Sequence, residues 1–237
     1  WSPWDRAAKG SNDQPEFQLG DVIRGDYDPY IRQWARDAAA WGHPLFVRFC
    51  HEMNGTWYPW SELRNGNSPG EFVAMWRHVH DIFVAEGATN VSWVWSINEV
   101  ESYQGVPLDR LYPGDAYVDW VGMSGYNWGT GQPRSGWRTF ARTFTNTYAR
   151  LPTMAPDRPL MITELASAEQ GGDKGQWIAD ALGVQLPRNF PAVRAVVWWN
   201  KRDEMMPWPI ETSAGATAAF RAAINSGYYA ANGFSHL

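Results

Sequence analysis

The stretch VRFCHEMNGTWYPW (residues 47–60) opens like a buried strand and then presents residues that ordinary strands avoid. Its apolar beginning is followed by His51 and Glu52 side by side. Asn54-Gly55 is a turn signal, and three aromatic residues and a proline come after it. A carboxylate after a buried strand is costly unless it is paired, hydrogen-bonded or protonated. The stretch therefore predicts a functional site where a strand ends.

The composition excludes several classes of protein. The net charge of −5 argues against a nucleic-acid surface, which would be basic. No run of about 18 apolar residues is present, so we expect no transmembrane helix. With one cysteine, Cys50, an intrachain disulfide is impossible, and we interpret that residue as a small buried side chain.

Tryptophan is unusually frequent, with 16 residues in a chain of 237. A hydrophobic core does not need so many indoles, whereas sugar rings stack on flat aromatic faces. The composition therefore favours a carbohydrate-handling protein, although ordinary core and surface aromatics are the alternative. No internal repeat or linker is visible, so we expect one domain over residues 1–237.

Strand and helix patterns alternate along the chain, which predicts a parallel sheet covered by helices. An open doubly wound sheet and a (β/α)8 barrel both fit this alternation. No GxGxxG or GxxxxGK[ST] motif follows a strand, which disfavours a nucleotide-binding open sheet. The patterns predict five strands and a weaker sixth, at residues 44–50, 91–96, 117–122, 159–163, 193–199 and, for the weak one, 17–23.

A second carboxylate, Glu164, follows the apolar residues of PLMITE, as Glu52 follows its own strand. In an alternating fold these two side chains are expected at one cleft. Carboxylates about 5 Å apart cleave a glycosidic bond with retention, and pairs about 6.5–9.5 Å apart do so with inversion. The alternative is that each glutamate forms a structural salt bridge.

Five motifs make a family resemblance specific. RFCHEMNGTWYPW, WVWSIN, YPGDAYVDWVGMSGYNWG, PLMITELAS and VVWWN resemble, in order and spacing, the motifs of glycoside hydrolase family 26. The resemblance extends from about residue 1 to residue 224. It implies a retaining endo-β-glycanase on a (β/α)8 TIM barrel that needs neither cofactor nor metal. It also implies that Glu52 is the acid/base after strand four and Glu164 the nucleophile after strand seven.

If Glu52 follows strand four, the chain begins near strand three. We therefore expect this catalytic domain to cover strands three to eight of the barrel, with the first strands missing upstream. As a proton donor, Glu52 should have a pKa raised by a less polar setting and by the negative charge of Glu164.

The resemblance also implies roles for neighbouring residues. Tyr126 resembles the tyrosine that hydrogen-bonds the nucleophile, and His51 resembles the histidine that holds the site's geometry, with a core histidine as the alternative. Alternation lets only one of Trp198 and Trp199 face the barrel interior, and the resemblance favours Trp198 as the floor under the sugar.

Most of the remaining candidate residues have a structural role as the alternative to a role in the site. Trp57 and Trp60 resemble cleft-wall aromatics, but either is also compatible with loop packing. Arg48 is expected to hydrogen-bond a catalytic carboxylate or to form a structural ion pair, and Trp95 and Asn98 are candidates for sugar contact. His78 and His80 point to different helix faces and make poor metal ligands together.

The motifs do not decide the polymer. β-1,4-Mannan is the expected substrate, while mixed-linkage β-1,3-1,4-glucan and β-1,3-xylan are alternatives. A non-catalytic carbohydrate-binding protein is a different class that the tryptophans alone would also fit. Because polysaccharides are extracellular, we expect secretion, with no nucleic-acid or membrane partner. The sequence does not indicate the oligomeric state.

Overall fold

The computed structural model describes residues 2–5, 13–100, 105–202 and 206–230. Within them five strands lie in one sheet in chain order, with parallel pairing of the first with the second and of the fourth with the fifth. The strands are β1 (Leu45–Val47), β2 (Val91–Asn98), β3 (Trp120–Asn127), β4 (Leu160–Ser167) and β5 (Val193–Trp198). The sheet confirms the predicted parallel α/β class and the five main strands.

Helices separate the strands as the alternation predicted. They are α1 (Leu19–Ile23), α2 (Asp28–Trp41), α3 (Glu71–Ala85), α4 (Leu108–Leu111), α5 (Phe140–Met154), α6 (Lys174–Asp180), α7 (Leu186–Asn189) and α8 (Ala214–Ile224). A π-helical turn at Ala181–Gln185 joins α6 to α7. In the described part of the chain, none of these helices has the length and apolar character that crossing a membrane requires.

The described residues divide into two compact units. The first unit comprises residues 2–5, 13–98, 105–122 and 154–158, and the second comprises 99–100, 123–153, 159–202 and 206–230. In the first, Trp34 of α2 and Trp93 of β2 both contact the Phe83 ring of α3, with centroids 4.9 and 5.1 Å away. In the second, all eight residues of β4 are buried.

Local signals explain where several helices begin and end. α2 has a proline in its first turn and ends at Gly42, whose φ of 73° suits a left-handed cap. Asp173 caps α6 and accepts a hydrogen bond from the Gln176 N–H at 2.9 Å. At α3 only half of a capping box forms: the Ser68 N–H donates to the Glu71 carboxylate at 2.6 Å, while Gly70 takes the N-cap position.

Three strand predictions were wrong in position or type. The weak strand at 17–23 is a 3₁₀ turn followed by α1. β1 stops at Val47, because Cys50 and Glu52 adopt positive φ angles that no ladder can continue. β3 begins at Trp120 instead of residue 117, because Tyr117 closes a 3₁₀ turn.

Candidate active site

Glu52 lies on a tight turn after β1 with an unusual backbone. Its φ is 55° and that of Cys50 is 44°, both in the left-handed region that non-glycine residues rarely adopt. The Glu52 N–H donates to the Ser96 carbonyl at 2.8 Å, and the Gly55 N–H donates to the Glu52 carbonyl at 2.9 Å. Such conformations cost about 1–3 kcal/mol each and persist where surrounding contacts hold them, commonly at functional sites.

Both oxygens of the Glu52 carboxylate accept a hydrogen bond. The side chain is only 6% exposed. The Trp57 indole N–H donates to Oε2 at 2.8 Å, and the Asn98 amide donates to Oε1 at 3.0 Å. Asn98 is itself fixed by Asn54, whose side-chain amide donates to the Asn98 carbonyl at 2.9 Å and accepts from the Asn98 N–H at 2.8 Å. The carboxylate is therefore held in one orientation.

Gly55 makes the Trp57 contact possible. A Cβ at this position would lie 2.4 Å from the Trp57 ring, so any side chain would push the indole away. The turn that Asn54-Gly55 predicted thus returns Trp57 to the carboxylate. Trp57 is half-buried and contacts Glu52 directly.

His51 and Trp60 form an aromatic cluster beside this turn. His51 Nε2 lies 3.0 Å from the Tyr58 hydroxyl, and the Trp60 indole N–H donates to the His51 carbonyl at 2.8 Å. The Tyr58 and Trp60 rings stack with centroids 4.2 Å apart. Trp60 is 1% exposed, so the cleft-wall expectation was wrong and the loop-packing alternative applies.

In the second unit Glu164 lies within β4, not beyond it, and is 8% exposed. The Tyr126 hydroxyl donates to Glu164 Oε2, which confirms the predicted hydrogen bond between these two residues. Tyr126 lies in β3, the strand beside β4, so the sheet register brings the phenol to the carboxylate.

Two tryptophans beside Tyr126 were not predicted. The Trp208 ring lies 4.9 Å from the Tyr126 ring and 4.8 Å from Trp128, centroid to centroid. The sequence could have indicated Trp128. It stands two residues after Tyr126 in the GYNWG motif, and alternation places it on the same side of the sheet as Tyr126. Trp208 gave no such signal, since it belongs to the irregular chain after β5.

The assignment of the sugar floor to Trp198 stays a prediction. Its ring contacts Trp177 of α6 and Phe220 of α8. Trp198 and Trp199 both pack against the buried cluster that contains Trp208, as Tyr126 and Trp128 do.

The other candidates have mixed outcomes. Trp95 is completely buried and its indole N–H donates to the Leu111 carbonyl at 2.9 Å, so its expected sugar contact was wrong. Asn98 contacts Glu52, and the role of half-buried Arg48 stays a prediction. Cys50 is buried as expected, and burial raises the pKa of its thiol.

Possible metal-binding side chains are the last group of candidates. His78 Nε2 lies 2.6 Å from an Asp28 carboxylate oxygen, which gives this histidine a structural partner. Across the residues that the structure describes, no group of three or more His, Cys, Asp or Glu side chains is arranged to hold a metal ion.

Each unit thus holds a nearly buried, hydrogen-bonded glutamate beside tryptophan rings on a parallel α/β scaffold, which is typical of a carbohydrate-active enzyme. Residues 5–167 match the family model described as Glycosyl hydrolase family 26. The chain belongs to glycosyl hydrolase family 26.

Individual proteins are similar to the chain in sequence. It is 38% identical over 230 residues to Endoglucanase H of Acetivibrio thermocellus, covering 96% of this chain and 24% of that protein. It is 29% identical over 108 residues to the Beta-1,3-xylanase TXYA of a Vibrio species, covering 45% of this chain and 22% of that protein. The chain thus spans about a quarter of these relatives' length.

A solved structure agrees on the fold. The endo-beta-1,4-mannanase double mutant of Cellulomonas fimi superposes with a TM-score of 0.68 at 21% identity. The match covers 90% of this chain and 50% of that chain. The fold is therefore that of the family's TIM-barrel members, of which this chain represents a part.

Proposed function

We propose that the protein is a retaining, endo-acting glycoside hydrolase that cleaves a β-linked polysaccharide through a covalent glycosyl-enzyme. Its membership in glycosyl hydrolase family 26 is the observation that carries this proposal. Glu52 acts as the acid/base and Glu164 as the nucleophile.

The reaction proceeds in two displacements. In the first, Glu164 attacks the anomeric carbon while Glu52 gives its proton to the departing glycosidic oxygen. In the second, Glu52 takes a proton from water, which attacks the same carbon and releases Glu164. No cofactor is needed, because the two carboxylates supply the acid, the base and the nucleophile.

The hydrogen bonds around each carboxylate suit these roles. The Tyr126 hydroxyl orients Glu164 for its attack on the anomeric carbon. The Trp57 and Asn98 donors hold the carboxylate of Glu52 in one orientation for both proton transfers. We further propose that Trp198, which the motifs favour, stacks under the sugar, with its neighbour Trp199 as the alternative.

The similarity to Endoglucanase H, at 38% identity over nearly the whole chain, supports a β-glucan as the polymer. β-1,4-Mannan, the substrate expected from the motifs, stays a prediction, and β-1,3-xylan is a third possibility. These polymers differ in how the enzyme must receive the 2-hydroxyl, which is axial in mannose and equatorial in glucose. Because such polymers lie outside cells, we also propose that the protein is secreted.

Product analysis tests the proposal. The full-length polypeptide carrying this sequence is incubated with mixed-linkage β-glucan, β-1,4-mannan and β-1,3-xylan, and the anomers first released are followed by NMR. We expect β-anomeric oligosaccharides from the glucan, because double displacement retains configuration.

Two outcomes contradict the proposal in different ways. First release of the α-anomer indicates inversion and excludes the covalent intermediate. Binding of a polymer without hydrolysis, unchanged in a Glu164→Ala variant, indicates the non-catalytic carbohydrate-binding class instead.

A further inference from the structure

Lys174, the first residue of α6, is a buried cation that the proposed reaction does not use. It is 1% exposed, which is rare for lysine. Its Nζ donates to the Trp208 carbonyl at 3.2 Å, the Pro209 carbonyl at 2.7 Å and Thr212 Oγ1 at 2.9 Å. All three acceptors belong to one stretch of chain after β5, residues 206–212, here called the 206–212 segment.

The protonation state of Lys174 decides how many of these bonds exist. An ammonium group has three N–H donors, which match the three acceptors. A neutral amine has two, so deprotonation leaves one acceptor of the 206–212 segment without its partner. The segment is therefore tied to α6 most firmly while Lys174 carries its charge.

The 206–212 segment leads directly to the residues around Glu164. The Trp208 carbonyl accepts from Lys174 and also from the Trp198 indole N–H at 3.2 Å. The Trp208 ring is buried and packs on Tyr126, whose hydroxyl donates to Glu164. Moving the Trp208 backbone would thus move the ring against which Tyr126 rests.

We propose that Lys174 is a positioning residue for Glu164, because its ammonium group fixes Trp208 against Tyr126. The inference rests on the proposed function of Glu164 as nucleophile. Lys174 touches neither Glu164 nor, in this proposal, the substrate. It acts on the rate of the chemical step and not on substrate affinity.

The charges around Lys174 make its hold on the 206–212 segment sensitive to pH. Burial lowers the pKa of Lys174 to about 8, against the opposing attraction of Glu169 and Glu211. Glu169 also accepts a hydrogen bond from the Thr212 hydroxyl at 2.6 Å. The remaining charged side chains on the packed helices are Asp173, which caps α6, Asp180 at the end of α6, and Arg221 of α8.

The lowered pKa of Lys174 also allows a positioning role to be distinguished from a simple contribution to stability. Because the pKa of Lys174 is lower in the folded chain than in the unfolded one, its charge opposes folding below about pH 8 and this cost disappears as pH rises. Replacing Lys174 by an apolar residue therefore need not lower the melting temperature at pH 7. A loss of rate in a variant with an undiminished melting temperature indicates positioning.

The test compares Lys174→Met, Lys174→Arg and the control Arg221→Met in the full-length polypeptide, with kcat and KM measured from pH 6 to 10. We expect Lys174→Met to lower kcat about tenfold at pH 7 with KM changed by less than about twofold. The wild-type kcat should fall above about pH 8. This fall should be absent in Lys174→Met and displaced to higher pH in Lys174→Arg, whereas Arg221→Met, an exposed cation, should behave as wild type.

Tryptophan emission supplies a readout that does not depend on turnover. Because Lys174 holds Trp208, wild-type emission should show a transition near pH 8 that Lys174→Met lacks. If no polymer is hydrolysed but this transition appears, the proposed function fails and the link from Lys174 to Trp208 stands. Absence of the transition in wild type overturns the inference.

The kinetic outcomes are equally decisive. Wild-type kcat and an unchanged alkaline fall in Lys174→Met overturn the inference, as does a change confined to KM. If Lys174→Met does not fold, Thr212→Val replaces it, because loss of one acceptor disfavours the ammonium. The alkaline fall should then move to lower pH, and an unmoved fall overturns the inference.

Discussion

Glu52 and Glu164 are both nearly buried, yet the chain holds them in different ways. Glu52 lies on an irregular turn with a left-handed backbone, and its carboxylate is oriented by Trp57 and Asn98. Glu164 lies in an eight-residue strand that is buried throughout, and its partner Tyr126 comes from the adjacent strand.

This difference predicts which kinds of substitution should disturb each glutamate. Glu164 lies inside a strand whose residues are all buried, so changes to its side chain should affect the chemistry of the carboxylate and leave its position unchanged. Glu52 depends on turn conformation and on side-chain donors, so changes in neighbouring residues should displace it. Substitutions in the two regions test this contrast.

The largest effect is expected at the strand-held carboxylate. Glu164→Gln should lower kcat/KM by about 10⁴-fold or more, because the covalent step loses its nucleophile. The loss should be similar for polysaccharide and for an aryl glycoside with a good leaving group, since both need the same attack. Steady-state kinetics on the two substrates measures it. Recovery of rate with the activated substrate would assign Glu164 another role.

Glu52→Gln should lower kcat/KM on polysaccharide by about 10²–10⁴-fold, the usual contribution of general acid–base catalysis. An aryl glycoside with a good leaving group needs no proton donor, so its first displacement should recover most of the wild-type rate. Pre-steady-state release of the aryl group is the measurement. An equal loss on both substrates contradicts the acid/base role.

The fold was predictable where periodic patterns were long. The strands near β2, β4 and β5 and the helices α2, α3, α5 and α8 follow from apolar periodicity and punctuation by Gly, Pro and Asp. The early end of β1 was not, because positive φ at Cys50 and Glu52 depends on hydrogen bonds such as that from Glu52 to Ser96, which is distant in sequence.

The contacts of a site residue were predictable where its partner lies in the same motif or in the adjacent strand. Trp57 reaches Glu52 across five residues, and Tyr126 reaches Glu164 through the pairing of adjacent strands. Alternation alone does not decide between Trp198 and Trp199, because the pairing of β4 with β5 contains irregularities and both rings pack against the cluster around Trp208. Trp95 was missed because a motif tryptophan can be a core residue whose N–H finds a distant carbonyl.

Tyr126→Phe should lower kcat by about 10–100-fold, because a hydrogen bond to a charged group contributes about 1.5–3 kcal/mol. The strand-held backbone predicts that the melting temperature changes little. Tyr148→Phe is the matched control, since its hydroxyl accepts from the Ala192 N–H on the helix side of the same unit. Equal effects of the two substitutions on kcat would show that Tyr126 acts only through packing.

Gly55→Ala tests the turn-held carboxylate. The added Cβ would lie 2.4 Å from the Trp57 ring, so the indole must move and release Glu52. We expect a loss of about 1–3 kcal/mol in the free energy of unfolding, as for other overpacked sites, together with about a tenfold lower kcat. Denaturant unfolding and kinetics measure the two effects. Gly136→Ala, where a Cβ meets no atom within 4 Å, should change neither.

Trp57→Phe removes the indole N–H and replaces the indole by a smaller aromatic ring. Because Asn98 still donates to the other oxygen of Glu52, we expect only a several-fold loss of kcat/KM, about 1 kcal/mol. Trp41→Phe, at an exposed tryptophan, is the control. If Trp57→Phe lowers kcat as much as Gly55→Ala does, ring packing and not the hydrogen bond holds Glu52, and the two glutamates then differ only in the packing around them.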